Sequence, residues 1–182
     1  MPRGLNTGGP SCEGAPPACR ESRAVIFVTV GTEFPFDRLI RAMDDWAAAH
    51  PQDPVVAQIG TGAYEPRHMT WHRRMGRPAF AEAVTAAELI VAHAGIGSLV
   101  TAGEYGKPVV LLPRLARFGE QRNDHQLDTA ARLGGRPGIR VATTEDDLAA
   151  CIAAARAGGG VEAMGKVAPA PFLARLRDFA TR

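Results

Sequence analysis

Apolar and polar positions along the chain follow two patterns, short continuous apolar runs and longer stretches with a helical repeat. The apolar runs are rich in valine, isoleucine and leucine and have the length of buried parallel strands. They span 24–30, 55–59, 89–92 and 109–112. Over 37–49, apolar residues instead recur every three or four positions, as on one face of a helix. Because the two patterns alternate, the sequence predicts an α/β fold with a single Rossmann-like, doubly wound parallel sheet.

Weaker signals complete this outline. Two shorter strands are predicted over 70–75 and 139–141, and further helices over 79–88, 98–105, 123–133 and 145–156. Thr144, with Asp147 three residues later, predicts a capping box at the start of the last of these helices. The chain then divides into a disordered leader over 1–22, rich in glycine and proline, one domain over 23–157, and a flexible joint with a final helix over 158–182.

Charge and composition exclude several classes of function. With 21 basic and 19 acidic residues, the chain lacks the positive charge expected of a nucleic-acid-binding protein. No apolar run reaches the length of a membrane span, and the N-terminus does not resemble a secretory signal. Its acidic pairs, Asp44-Asp45 and Asp146-Asp147, lie in helical patterns and are interpreted as solvated charge. No metal site is therefore expected.

The segment 93–126 contains the strongest chemical signal. Residues 93–97, HAGIG, form a glycine-containing turn between a strand and a helix, and Ser98 can cap that helix. The first N–H groups of a helix lack partners and favour anions, so this turn is a candidate phosphate site. An ordinary capped turn is the alternative. Gly95-x-Gly97 is not a dinucleotide fingerprint, because position 100 is not glycine.

The carboxyl ends of parallel strands lie at one edge of the sheet, where ligands bind in such folds. Here the segments that follow strands are 31–32, 60–62, 93–98 and 113–123. A ligand site formed by these loops is thus expected without reference to any family. The aromatic and basic residues at 68 and 71–73 have two interpretations, a lid or interface and a partly buried strand edge.

Three segments together resemble the nucleotide-sugar signature of glycosyltransferase family 28. They are HAGIGS at 93–98, EYGKPVVLLPR at 104–114 and NDHQ at 123–126. This combination looks like the C-terminal, donor-binding half of MurG and the small subunit of the dolichol-pathway UDP-GlcNAc transferase. It is closer still to the PssE-type subunits of exopolysaccharide synthesis, which VTVGT and FDRLI at 28–32 and 36–40 also resemble. The resemblance covers about 24–157 and implies half of a GT-B fold.

This resemblance implies a donor site. The residues assigned to the diphosphate are Gly31, Thr32, His93, Gly95, Gly97 and Ser98. Those assigned to the sugar and ribose are Thr101, Glu104, Asp124, His125 and Gln126. Many relatives have a ribose-binding glutamate where this chain has Thr101, and Glu104 lies one helical turn further on.

Several of these residues also have plainer interpretations. His93 either binds a phosphate or bonds the local backbone, and Gln126 either binds the sugar or lies at an exposed helix start. Asn123 is a candidate N-cap for that helix. Arg114 either contacts an anionic group or is solvated. Gly31 and Thr32 either approach the ligand or only form a required turn.

The function implied is that of a UDP-sugar-binding subunit in a two-component inverting glycosyltransferase. It would transfer a hexose to a lipid-linked or polysaccharide acceptor, without a metal or other cofactor. A membrane-associated partner would hold the acceptor and supply the general base, which would place this protein in the cytoplasm at the inner membrane face. One alternative is a non-catalytic enhancer subunit, which Thr101 favours. A sugar-nucleotide epimerase or hydrolase would need further carboxylates or a second domain, and the sequence offers neither.

Overall fold

A computed structural model describes residues 24–161 of the protein. Its strands are β1 Val25–Thr29, β2 Val55–Gln58, β3 Thr70–His72, β4 Ala87–His93, β5 Val109–Leu112 and β6 Ile139–Val141. Its α-helices are α1 Asp37–Ala49, α2 Arg77–Ala86, α3 Ile96–Tyr105, α4 His125–Leu133 and α5 Leu148–Gly158. Short 3-10 turns occupy Ala116–Phe118 and Glu145–Asp147. The predicted leader over 1–22 and the final helix, predicted from Pro171, lie outside the described residues.

The six strands form one parallel sheet in the order β3-β2-β1-β4-β5-β6. Chain order reverses between β1 and β4, where successive crossover connections leave in opposite directions along the sheet. Such a switch point leaves a crevice at the carboxyl ends of the two strands, which is where doubly wound sheets bind ligands. The predicted fold class is therefore confirmed.

Each face of the sheet has its own apolar core. On one face, α1 and α5 cover the strands, and Leu39, Met43 and Ile152 are almost fully buried. On the other face, α2, α3 and α4 cover Phe27 and Ile90. Because both faces are covered, the central strands are apolar along their whole length, which explains the continuous runs in the sequence.

Element boundaries differ from the prediction at several points. Helix α2 begins at Arg77, with Pro78 in its first turn, and leads directly into β4 at Ala87. Proline suits this position because its fixed φ is helical and it has no N–H to satisfy. Strand β3 ends at His72, and α4 begins at His125 rather than at 123. The capping box of Thr144 and Asp147 is confirmed, although it begins a 3-10 turn that precedes α5.

Asp44 is not the solvated charge that the sequence suggested, because its side chain is only 2% exposed. Its carboxylate accepts hydrogen bonds from the Tyr64 hydroxyl at 2.7 Å and from the backbone N–H groups of Arg67 and His68. Burial acts to raise the pKa of Asp44, but these hydrogen bonds hold it below its ordinary value. Asp44 therefore anchors the loop that leads into β3.

The aromatic and basic residues around β3 lie at the edge of the sheet, which agrees with the plainer of their two interpretations. Trp71 is half-buried in this edge strand, and the Arg73 guanidinium lies over its ring at 5.6 Å. Among the helices of residues 24–161, none has the length and apolar character needed to cross a membrane.

Candidate functional site

A cleft of about 460 Å³ opens at the switch point between β1 and β4. Three of the four predicted loops line it, whereas the loop at 60–62 does not. The loop after β1 contributes Gly31, Thr32, Glu33 and Phe34. The β4–α3 unit contributes His93, Gly97, Ser98 and Thr101, and the opposite wall is formed by Arg114, Gln121 and Gln126. Its inner part is lined by Phe27, Gln58, Phe80 and Ile90.

The N-terminus of α3 lies in this cleft without a side-chain cap. The N-cap residue is Gly95, so the prediction that Ser98 caps the helix is wrong. Ser98 is the third residue of the helix, and its Oγ lies 3.3 Å from Nδ1 of His93. Among residues 24–161, the N–H groups of Ile96 and Gly97 find no protein acceptor. The positive end of the helix thus offers two free donors to an anion.

The glycines around this helix start serve two purposes. A Cβ at Gly31, where φ is 76°, would come within 2.9 Å of the His93 ring, and a Cβ at Gly95 would overlap Nε2 of the same ring. These two glycines therefore make room for the imidazole. Gly97 differs, because a Cβ placed there would meet no atom within 4 Å. The space beside Gly97 belongs to the cleft.

His93 is uncharged at neutral pH. Burial and the nearby Arg114 guanidinium lower its pKa from 6.5 to about 4, although an interaction with the Thr29 backbone acts in the opposite direction. An uncharged imidazole has one N–H donor and one acceptor nitrogen. His93 is thus suited to orient the Ser98 hydroxyl by a hydrogen bond, and it does not supply a positive charge to the cleft.

Folding stability should fall as pH drops from about 6.5 towards 4, because the unfolded chain then binds a proton at His93 that the folded protein excludes. Between pH 7 and 4.5 the loss attributable to His93 should be roughly 2–3 kcal/mol. Urea denaturation of wild type and of His93→Gln across this range measures it. The other histidines are present in both proteins and cancel in the difference, so parallel stability curves would contradict the assignment.

Arg114 is only 2% exposed, so the solvated alternative is wrong. Its guanidinium donates to the backbone oxygens of Val30 at 2.5 Å, Phe34 at 2.8 Å and Glu120 at 3.3 Å. Arg114 thereby ties the loop after β1 to the loop after β5. Its own loop is held further by Glu120, whose carboxylate forms an ion pair with Arg38 at 2.8 Å.

Gln126 is buried, contrary to the alternative that it lies at an exposed helix start. Its Oε1 accepts from the Arg114 backbone N–H at 3.1 Å, and its Nε2 donates to Oε1 of Gln121 at 2.7 Å. Both ends of the amide thus have protein partners, although the residue lines the cleft. Asp124, rather than Asn123, is the N-cap residue of α4, and it accepts a hydrogen bond from the Ala116 N–H.

The three remaining candidates for the sugar and ribose lie in different places. Thr101 lines the cleft, but its hydroxyl donates to the Gly97 carbonyl at 2.9 Å. Glu104 is exposed on α3 and does not line the cleft. His125 lies in a second, adjoining cleft and contacts Gln121.

Sequence reasoning missed the inner part of the cleft and Glu33. Gln58 carried a usable signal, because it is the polar residue in an otherwise apolar strand run. Its Oε1 accepts from the Met75 N–H at 3.0 Å, and its Nε2 has no acceptor in the described part of the chain. Phe80 packs edge-on against Phe27, with 5.2 Å between ring centroids. Nothing in the sequence distinguished these aromatic residues from ordinary core residues.

Comparison with known proteins decides the family. The model of the glycosyltransferase family 28 C-terminal domain matches residues 25–166, which is most of the chain. The chain belongs to this family. It therefore contains the type of domain that forms the nucleotide-sugar-binding half of GT-B glycosyltransferases, as the resemblance in the sequence implied. A search of curated proteins gave no match.

Solved structures agree on the fold of this family 28 domain. A glycotransferase of kitacinnamycin matches with 20% identity and a TM-score of 0.56, over 82% of this chain and 39% of that one. The calicheamicin glycosyltransferase CalG4 matches with 18% identity and a TM-score of 0.55, over 76% and 35%. An NMR structure of ALG13 matches with 17% identity and a TM-score of 0.55, over 85% and 94%. The chain thus spans 39% and 35% of the first two proteins.

The family 28 domain offers no evident metal centre in the region described. Over residues 24–161, no three His, Cys, Asp or Glu side chains lie close enough together to hold a metal ion. The polar groups that line the cleft are helix N–H groups, hydroxyls and amides, together with the side chains of Glu33, His93 and Arg114.

Proposed function

We propose that this chain is the UDP-sugar-binding subunit of a two-component inverting glycosyltransferase. The observation that carries the proposal is the uncapped N-terminus of α3, which faces a cleft at the switch point of a family 28 domain. Free N–H groups at the positive end of a helix suit the diphosphate of a nucleotide sugar.

Each part of the donor has a suitable region of the cleft. The diphosphate accepts hydrogen bonds from the N–H groups of Ile96 and Gly97, beside the Ser98 hydroxyl. The base lies against Phe80 and the Gln58 amide at the inner end of the cleft, which the buried side chains of Phe27 and Ile90 close. An apolar recess with a few oriented polar groups is the usual form of a small-molecule site.

In the proposed reaction, a hydroxyl of the acceptor attacks the anomeric carbon from the side opposite the diphosphate. The new carbon–oxygen bond forms as the bond to the β-phosphate oxygen breaks, and a base on the partner takes the hydroxyl proton. The departing diphosphate gains negative charge at the α3 terminus, where the helix N–H groups stabilise it. No metal is needed for this stabilisation.

The partner and the acceptor follow from the resemblance to two-component enzymes. A membrane-associated subunit would hold a lipid-linked or polysaccharide acceptor, and this chain would act with it at the cytoplasmic face. Transfer of a hexose to a lipid acceptor by the purified chain alone would contradict the two-component proposal. The enhancer alternative is favoured by one observation, since Thr101 bonds the Gly97 carbonyl and leaves the ribose without a carboxylate from α3.

The test is calorimetric titration of the full chain with UDP, for wild type and for Ser98→Ala. The substitution should weaken UDP binding about tenfold, because it removes one protein hydroxyl that donates a hydrogen bond to a charged ligand. Thr85→Ala is the control, since its exposed hydroxyl lies on α2 outside the cleft and donates to its own helix. Absence of UDP binding by wild type would overturn the donor-site assignment and favour the enhancer.

A further inference from the structure

A second cleft, of about 550 Å³, adjoins the first at the mouth of the site. Its lining consists of Glu33, Phe34, Gln121, Arg122, Asn123 and His125. Glu33, Phe34 and Gln121 line both clefts, so the two spaces share a wall. A ligand whose diphosphate lies at the α3 terminus can therefore extend directly into the second cleft.

The second cleft has the chemistry of a sugar site. A carboxylate, two amides, a guanidinium and an imidazole line it, and together they include both donors and acceptors. Sugar hydroxyls both donate and accept hydrogen bonds, so they need a mixed lining of this kind. Gln121 and His125 already bond each other, and they also contact Gln126 and Asn123. Within residues 24–161, the groups of this cleft that keep unbonded donors or acceptors are therefore the Glu33 carboxylate, the Arg122 guanidinium and the Asn123 side-chain NH₂.

Glu33 is the carboxylate at this edge that remains free to bind a ligand. Glu120 is buried in its ion pair with Arg38, and Asp124 accepts from the Ala116 N–H. Glu33 is exposed, and its carboxylate makes no hydrogen bond to any residue in the range 24–161. It lies on the wall that the two clefts share.

We propose that the second cleft holds the donor hexose and that Glu33 determines its class by accepting hydrogen bonds from the hydroxyls of a neutral sugar. The Glu33 carboxylate repels a second carboxylate and offsets the charge of the Arg122 guanidinium on the same lining, so hexuronates are disfavoured relative to neutral hexoses. This inference rests on the proposed function. It adds a specificity-determining residue outside the segment 93–126 that carries the family signature.

The test compares UDP with UDP-glucose, UDP-galactose, UDP-GlcNAc and UDP-glucuronate by calorimetry, using the full chain. Wild type should bind at least one neutral UDP-hexose about five- to tenfold more tightly than UDP, and UDP-glucuronate more weakly than that hexose. Glu33→Gln should bind UDP as tightly as wild type or more tightly, since a negative charge near the diphosphate is removed. Relative to UDP, it should lose most of the gain from the neutral hexose and improve the affinity for UDP-glucuronate. Glu82→Gln, an exposed position on α2 outside both clefts, is the matched control.

The outcomes separate this inference from the proposed function. If wild type binds UDP but gains nothing from any hexose, or if Glu33→Gln leaves the ratio of UDP-hexose to UDP affinity unchanged, the role of Glu33 is overturned and the donor site stands. If wild type binds neither UDP nor any UDP-sugar, the proposed function fails, and the inference fails with it.

Discussion

Gly97→Leu should abolish measurable UDP binding and leave the protein folded. A Cβ at Gly97 would meet no protein atom within 4 Å, so a side chain can start there, and we expect leucine to extend into the space in front of the free N–H groups at the start of α3. The loss of two hydrogen bonds to a charged ligand should weaken binding at least about 100-fold. Folding stability should stay equal or rise by up to about 1 kcal/mol, because leucine favours a helix more than glycine does.

Calorimetry with UDP and urea denaturation measure the two effects in parallel. Gly97→Ala should give an intermediate loss of affinity, since its methyl group blocks less of the cleft. Ala48→Leu is the control for adding a leucine to a helix surface, because Ala48 is exposed on α1 and does not line the cleft. Wild-type affinity in Gly97→Leu would show that the ligand does not use this helix terminus.

Arg114→Met should destabilise the protein by about 3–5 kcal/mol, comparable to the loss of one partner from a buried charged network. The substitution leaves the carbonyls of Val30, Phe34 and Glu120 without their donor inside the structure. It also removes the link between the two loops that form opposite walls of the cleft, so UDP binding should weaken as well. Urea denaturation provides the stability and calorimetry the affinity.

Arg114→Lys should recover little of this stability, because a single ammonium group cannot reproduce the planar donor arrangement that reaches three carbonyls. Arg117→Met is the control, since Arg117 is exposed in the same loop and its guanidinium contacts Phe118 at 4.8 Å. It should change stability by about 0.5 kcal/mol or less. Equal losses for the two arginine-to-methionine variants would contradict the role assigned to Arg114.

Gly97 has a different role from Gly31 and Gly95, and a sequence motif does not predict this difference. In the sequence, Gly31, Gly95 and Gly97 all look like places where a backbone approaches a phosphate. In the structure, the first two accommodate the ring of His93, and of these three glycines only Gly97 has a Cβ position that is free of protein atoms. The deciding neighbour of the other two is His93, which lies in the same motif as Gly95 but in a different loop from Gly31, and the direction of its ring is set by the folded structure rather than by the motif.

The sequence alone determined the fold class, the strand runs, the alternation of strands and helices, and the loops at one sheet edge. These features follow from local periodicity, because a strand covered on both faces must be apolar throughout and a surface helix must repeat every three to four residues. The family signature also lies within one continuous segment and is visible without coordinates.

The tertiary structure decided the state and partners of individual polar side chains. Arg114, Gln126 and Asp44 are types of residue that usually lie at the surface, yet all three are buried with partners supplied by distant or separate elements. The neutral state of His93 and the position of Glu33 between two clefts likewise depend on loops brought together only by the crossover of the sheet. Burial and electrostatics are properties of that assembled environment, so no spacing along the chain encodes them directly.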